Sequence, residues 1–208
     1  MKPEPFAYVI DGHDNDSYAF RAYPSVARSQ RLTQQILPDF GGVPSETPKR
    51  CEKCGMLLDK WHELLPGLRL RKRDLDLSST YDGVMVASAR FRDFYLAGGF
   101  SGLEFTVLPS DPTFFSMNSS RIVEFDAIVR GTQFAEWCET CRKWKSVAGA
   151  TPAFLKTGFS ISGLEFVRTD VEFGYADEQH PLLICGVQAA QSLKKSGFRR
   201  LELQPILA

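Results

Sequence analysis

The apolar and polar positions of the chain follow the same order in two separate stretches. Residues 84–105 align with residues 182–203 without a gap, which places Gly99 on Gly197 and matches the apolar positions around them. In each stretch a short apolar run precedes a segment with helical spacing, and an alternating run follows the glycine. The pattern therefore predicts a strand, a helix and a second strand, twice.

The predicted helices cover residues 89–98 and 187–196. Glycine has no Cβ atom, so Gly99 and Gly197 suit the left-handed residue that commonly ends a helix. A duplicated module is the simplest explanation, with a first copy at about residues 49–109 and a second at about residues 136–206. Two unrelated units that share a common pattern are the alternative.

The rest of the chain gives weaker signals. The N-terminal region up to Arg50 mixes aromatic and polar residues and is interrupted by prolines and glycines, which indicates an irregular cap. An insertion between the modules, residues 110–130, carries Phe114, Phe115 and Phe125. We expect a single compact α+β domain, residues 1–208, in which the cap precedes two related strand–helix–strand modules.

Composition narrows the classes of function. Hydrophobic residues make up 43% of the 208 positions, which is typical of a globular protein. The 25 Lys and Arg residues balance the 25 Asp and Glu residues, so no overall charge attracts nucleic acid or an anionic membrane. Since no apolar run has the length of a signal peptide or a membrane span, we expect a cytoplasmic protein without a membrane partner.

Four cysteines form two Cys-x-x-Cys pairs, Cys51 with Cys54 and Cys138 with Cys141, one pair ahead of each module. A reducing cytoplasm disfavours disulfides, and each pair can present two thiolates to one tetrahedral zinc ion. We predict that the four thiolates bind one structural Zn²⁺ per chain and join the two modules. Because four protein ligands leave no position for water or substrate, this metal is not expected to be catalytic.

Other interpretations of the cysteines remain open. A redox site normally uses one pair at the start of a helix, and two pairs with charged residues inside them fit that role poorly. Four buried thiols without a metal are the other alternative. Cys185 lies in an apolar run and is interpreted as a small buried hydrophobic residue.

The residue that follows each cysteine pair differs. Gly55 follows the first pair and permits a sharp turn that directs backbone N–H groups toward the sulfurs. Arg142 occupies this place after the second pair, so either it adopts a left-handed conformation at an energetic cost or the turn has another geometry. The sequence leaves the equivalence of the two turns undecided.

Three tryptophans, Trp61, Trp137 and Trp144, flank the cysteine pairs. We interpret them as shields of the zinc site, whereas an exposed one would act as a contact anchor. The chain has no nucleophile elbow, phosphate-binding glycine loop or paired-histidine helix motif. We therefore predict that the protein is not an enzyme.

The sequence resembles the bacterial double-CxxCG-motif proteins, whose members include immunity proteins of contact-dependent toxin systems. The resemblance rests on the widely spaced cysteine pairs, on residues 75–78 (LDLS) and on residues 189–205 (AAQSLKKSGFRRLELQP), and it covers most of the chain from about Lys49 onward. It implies a cytoplasmic protein that binds and neutralises one cognate toxin. Arg142 departs from the family pattern, which carries glycine there.

The resemblance makes a protein toxin the expected partner. We predict the toxin contacts on the cap, at Tyr18 and Tyr23, and on the insertion, at Phe114 and Phe115. The alternative is that the phenylalanines, Phe125 above all, fill the core. The alternative function is a zinc-ribbon-like nucleic-acid-binding protein that uses the basic residues around the cysteine pairs, although the neutral net charge disfavours it.

Overall fold

The computed structural model describes residues 4–14, 50–58, 70, 74–80, 83–109 and 111–207. The strands are β1 (Pro5–Asp14), β2 (Leu77–Ser79), β3 (Met85–Ser88), β4 (Leu103–Leu108), β5 (Asp111–Ser119), β6 (Ile122–Val123), β7 (Gln133–Cys138), β8 (Lys143–Ala148), β9 (Phe166–Tyr175), β10 (His180–Gly186) and β11 (Leu201–Leu207). The helices are α1 (Ala89–Ala97), α2 (Ala127–Arg130) and α3 (Val187–Ser196), and one turn of 3-10 helix covers Ala176–Glu178. The described part of the chain is thus a mixed helix-and-strand fold in which strands predominate. None of its helices is long and apolar enough to cross a membrane.

Both predicted strand–helix–strand units are present. α1 begins at Ala89 and α3 at Val187, and the strands that follow begin at Leu103 and Leu201, so the elements keep the offset that aligns the two sequence stretches. Gly99 and Gly197 have φ angles of 65° and 67°, so both lie in the predicted left-handed region. The common origin of the two units stays a prediction.

Each unit also contains a third strand that local pattern did not predict. In the first unit β5 lies between β3 and β4 and runs antiparallel to both. In the second unit β1 lies between β10 and β11, again antiparallel to both. In each unit the helix therefore connects two strands that are not neighbours, because a third strand is inserted between them. This is a split β–α–β arrangement.

The prediction of an irregular N-terminal cap was wrong for residues 5–14. These residues form β1, which also pairs in parallel with β2 at His13 and Asp14 and so connects the strands of the two units. Ala7 and Val9 face one side of the sheet and Tyr8 and Ile10 the other, and apolar groups cover both faces. A strand buried on both faces has no polar alternation, which is why the pattern did not reveal it. Residues 15–49 of the predicted cap lie outside the described residues.

The two longer helices pack on one face of the sheet and share one core. Phe91 and Tyr95 of α1 join Ala190 and Leu193 of α3 in a single buried cluster with Phe166 of β9. A second cluster covers the opposite face of the sheet around Phe125 and Phe173, whose ring centroids are 4.9 Å apart. The interpretation of Phe125 as a core residue is therefore confirmed.

The two other phenylalanines of the insertion also pack inside the protein. Phe114 and Phe115 lie on β5 and are only 5% and 9% exposed. These side chains offer little surface to a partner in this state, so the core-filling alternative describes their packing. Tyr18 and Tyr23, the other predicted contacts, lie outside the described residues.

A buried carboxylate connects the two segments on which the family resemblance rests. Asp76 accepts hydrogen bonds from Ser88 Oγ at 2.9 Å and from Arg90 Nη1 at 3.0 Å. Arg90 Nη2 also donates to the carbonyl of Ser196 at 2.7 Å, at the end of α3. A cation at a helix C-terminus satisfies otherwise unpaired carbonyl groups. Residues 75–78 and the C-terminal segment therefore meet in the folded protein.

Candidate metal centre

Each cysteine pair lies in the turn of a short hairpin. In the first hairpin Arg50 pairs with Leu57, and the Cys51 amide donates to the Met56 carbonyl at 2.9 Å. In the second hairpin β7 and β8 pair up to Cys138 and Lys143, and the turn between them carries Cys141. The two turns, distant in sequence, place their cysteines face to face.

The four predicted ligands come together in the structure. Their Sγ atoms all lie within 4.8 Å of one another, and two of the contacts join the hairpins: Cys51 with Cys138 at 3.8 Å and Cys54 with Cys141 at 3.6 Å. Tetrahedral zinc with Zn–S bonds of about 2.3 Å requires S···S distances of about 3.8 Å. The thiol cluster can therefore hold a metal ion, and its size and ligand type suit zinc. The fifth cysteine, Cys185, is fully buried outside this cluster.

Arg142 adopts the left-handed conformation, which is the strained one of the two alternatives that the sequence left open. Its φ angle is 55°, and that of Gly55 is 78°, so both residues are left-handed. The Gly55 amide donates to the Cys51 carbonyl and the Arg142 amide to the Cys138 carbonyl, each at 2.8 Å. In this hydrogen bond and in backbone conformation the two turns are equivalent, although only one contains glycine.

The backbone and the burial of the turns divide the thiols into two kinds. Hydrogen bonding from the backbone of Cys141 is the main cause that lowers the pKa of Cys138 to about 6, and the backbone of Cys54 likewise lowers the pKa of Cys51. Burial raises the pKa of Cys54 to about 12 and raises that of Cys141. Each hairpin thus offers one thiol that readily becomes a thiolate and one that needs a nearby cation to do so.

Polar contacts around the cluster hold the first hairpin in place. Asp177 accepts hydrogen bonds from Arg50 Nη1 at 2.6 Å and from the Leu57 amide at 2.8 Å. Lys143 Nζ reaches the Leu58 carbonyl at 3.2 Å, which connects the second hairpin to the first. Sequence reasoning missed Asp177, because no local signal relates an acidic residue in a turn to a cysteine pair far earlier in the chain.

The tryptophans of the second hairpin are exposed. Trp137 and Trp144 are 41% and 38% exposed to solvent. They lie opposite each other on β7 and β8, and their ring centroids are 5.0 Å apart. Since neighbouring residues of a strand point to opposite faces, Trp137 lies on the face away from Cys138. The geometry favours the contact-anchor interpretation of these two residues over shielding of the metal. Trp61 lies outside the described residues.

The sheet also contains a cavity of about 550 Å³. It opens between β2 and β10, where β1 leaves β10 to pair with β2. Its described lining is mostly apolar, with hydroxyl groups such as those of Ser78 and Thr151 and the imidazole of His180, and it includes no Asp, Glu, Lys, Arg or Cys.

Arg142→Gly is expected to strengthen zinc binding roughly fivefold, because removing the Cβ atom relieves a left-handed strain of about 1 kcal/mol. Gly55→Ala is the matched change in the other turn, and it should weaken binding by a similar factor. A Cβ atom at Gly55 would meet nothing within 4 Å, so the cost there is conformational and not steric. Competition with a chromophoric zinc chelator measures both effects. Equal zinc affinities for the unchanged protein, Arg142→Gly and Gly55→Ala would mean that a side chain at the left-handed position costs nothing in either turn, and would contradict this prediction.

No model of a known protein family matches the chain, and no curated protein matches it significantly.

Proposed function

We propose that this is a zinc-stabilised binding protein without catalytic turnover, and that it acts as an immunity protein that neutralises a bacterial toxin in the cytoplasm. The observation that carries the proposal is the closed ligand set: four cysteine Sγ atoms within 4.8 Å of one another. Four thiolates saturate tetrahedral zinc and leave no site for a reacting water, which is the arrangement of structural zinc centres. The resemblance to the double-CxxCG-motif proteins supports the immunity role.

Such a metal would be useful to a binding protein. The hairpin of β7 and β8 lies at one end of the sheet, where β7 pairs with β8 alone among the described strands. A bound zinc would fix the tip of this hairpin against the first cysteine turn. A rigid hairpin loses less conformational entropy when it meets a partner, so the metal would contribute to affinity without touching the partner.

A nucleic-acid-binding role has weaker support from the same region. Two basic side chains near the thiols already have partners, since Lys143 binds the Leu58 carbonyl and Lys145 pairs with Glu136 at 3.4 Å. Arg50 likewise pairs with Asp177. Zinc with four thiolates would add a local charge of about −2, which opposes a polyanion. The basic residues are therefore better understood as local counter-charges.

Co-expression tests the immunity role. The protein encoded by the reading frame beside this gene is expressed in a sensitive host with or without this chain. We expect survival only with this chain, together with a complex that co-purifies at a fixed ratio. An unrelated toxin serves as the control and should kill in both cases. Death in the presence of this chain, or survival in its absence, would remove the basis of the proposal.

A further inference from the structure

We infer that one face of the β7–β8 hairpin, formed by Phe134, Trp137 and Trp144, is the surface that contacts a folded protein partner and inserts into an apolar pocket on it. We assign this aromatic face as the binding surface for the function proposed above, and the inference rests on that function.

The three side chains form a continuous and exposed cluster. Phe134 and Trp137 each contact Trp144, with ring centroids 5.8 Å and 5.0 Å apart. Each of the three still exposes about two fifths of its surface. Large aromatic side chains in the core of a protein would be buried, and their contacts with one another here hold the rings in place without covering them.

Two of these rings lie on β7, and both contact the same ring on β8. In a regular strand Phe134 and Trp137 would point to opposite sides, because they are three positions apart. Glu136, between them, has a φ of 59°, a conformation that L-residues rarely adopt. Both rings nevertheless contact Trp144, although the pairing of β7 with β8 keeps one register from Gln133 to Cys138. A strained residue persists only where the surrounding structure or its function compensates for the cost, and Glu136 lies between the two rings of the exposed cluster.

The charges of the hairpin nearly balance, with two acidic and three basic side chains among residues 133–148. Glu136 pairs with Lys145, whose Nζ also lies 5.2 Å from the centre of the Tyr175 ring, and Lys143 binds carbonyl groups of the first hairpin. The tip adds Glu139 and Arg142, which carry opposite charges. An aromatic surface with nearly balanced charges complements an uncharged apolar pocket, and it lacks the strong positive field that a phosphate backbone requires.

Tryptophans with this exposure are suited to anchor an interface. Trp is enriched among the few residues that carry most of the binding energy of protein interfaces, and it loses little entropy because it has only two side-chain torsions. Three rings that each expose about two fifths of their surface cover far less than the roughly 800 Å² that each partner of a stable complex buries. The aromatic face is therefore the centre of an interface whose polar rim includes neighbouring residues.

The test compares full-length, zinc-loaded variants for binding to the protein encoded beside this gene, used in a catalytically inactivated form. Trp144→Ala is expected to bind at least about 30-fold more weakly, as is typical of the loss of an anchor residue. Trp144→Phe should recover part of the affinity. Leu96→Ala is the matched control, because Leu96 is an exposed apolar residue on α1, and it should bind like the unchanged protein.

The outcomes separate this inference from the function on which it rests. If the unchanged protein does not bind the neighbouring protein, the proposed function fails. If it binds, but Trp144→Ala binds within about twofold of it while zinc content and thermal unfolding are unchanged, the aromatic face is not the contact surface. Binding of single-stranded oligo(dT) that Trp144→Ala abolishes would assign the face to nucleic acid instead. A dimer in sedimentation experiments that Trp144→Ala dissociates would assign it to a second copy of the chain.

Discussion

Cys138→Ser is expected to remove the bound zinc and to lower the free energy of unfolding by about 4 kcal/mol or more. A structural zinc contributes its binding energy directly to folding, and three thiolates hold the ion much less tightly than four. The loss is large here because the ion would connect two hairpins whose cysteines are 87 positions apart. Zinc analysis under reducing conditions and urea unfolding measure the two effects.

Cys185→Ala is the control that separates the metal from the loss of a buried thiol. Cys185 is fully buried, and burial raises the pKa of its thiol to about 12, so it behaves as a small apolar side chain. This variant should keep one zinc per chain and lose only about 1 kcal/mol of stability. A Cys138→Ser protein that still binds a full equivalent of zinc, or unchanged protein that holds less than about half an equivalent, would disprove the metal site.

Phe166→Ala is expected to lower the free energy of unfolding by about 4 kcal/mol, since it leaves a cavity at the centre of the shared core. Phe166 is fully buried, and its ring makes edge-to-face contacts with Phe91 and Tyr95 of α1 and with Phe100. The backbone of Phe166 is also held in place, because its amide donates a hydrogen bond to the Ser101 carbonyl at 2.8 Å. The ring therefore connects β9 to α1 and to the segment that follows this helix. Urea unfolding measures the loss.

Two companion variants show whether the effect of Phe166→Ala comes from the cavity. Phe166→Leu preserves most of the volume and should cost only about 1–1.5 kcal/mol. Tyr175→Ala removes a half-exposed aromatic side chain from the end of the same strand and should cost less than about 1 kcal/mol. Equal losses of stability in all three variants would show that the effect of Phe166→Ala does not come from a cavity in the core.

Features that depend on neighbouring residues could be read from the sequence. Both long helices begin where the spacing of apolar residues indicated, because a helix that packs on a sheet needs one apolar stripe at its own period. Gly99 and Gly197 end them in the left-handed conformation that glycine adopts at little cost. The candidate metal ligands were predictable for a similar reason, since a Cys-x-x-Cys turn can present two thiolates to one ion through its local geometry alone.

The sequence by itself therefore determined the helices, their glycine ends and the identity of the four thiols, because the forces involved act within a few residues. Only the tertiary structure decided where β1 pairs, since a strand buried on both faces carries no alternation and its partners lie at the far end of the chain. It also decided that Phe114 is buried and that Trp137 is exposed, two aromatic residues that the sequence does not distinguish. The free energy of burial depends on what covers a side chain, and that is set by contacts between distant segments.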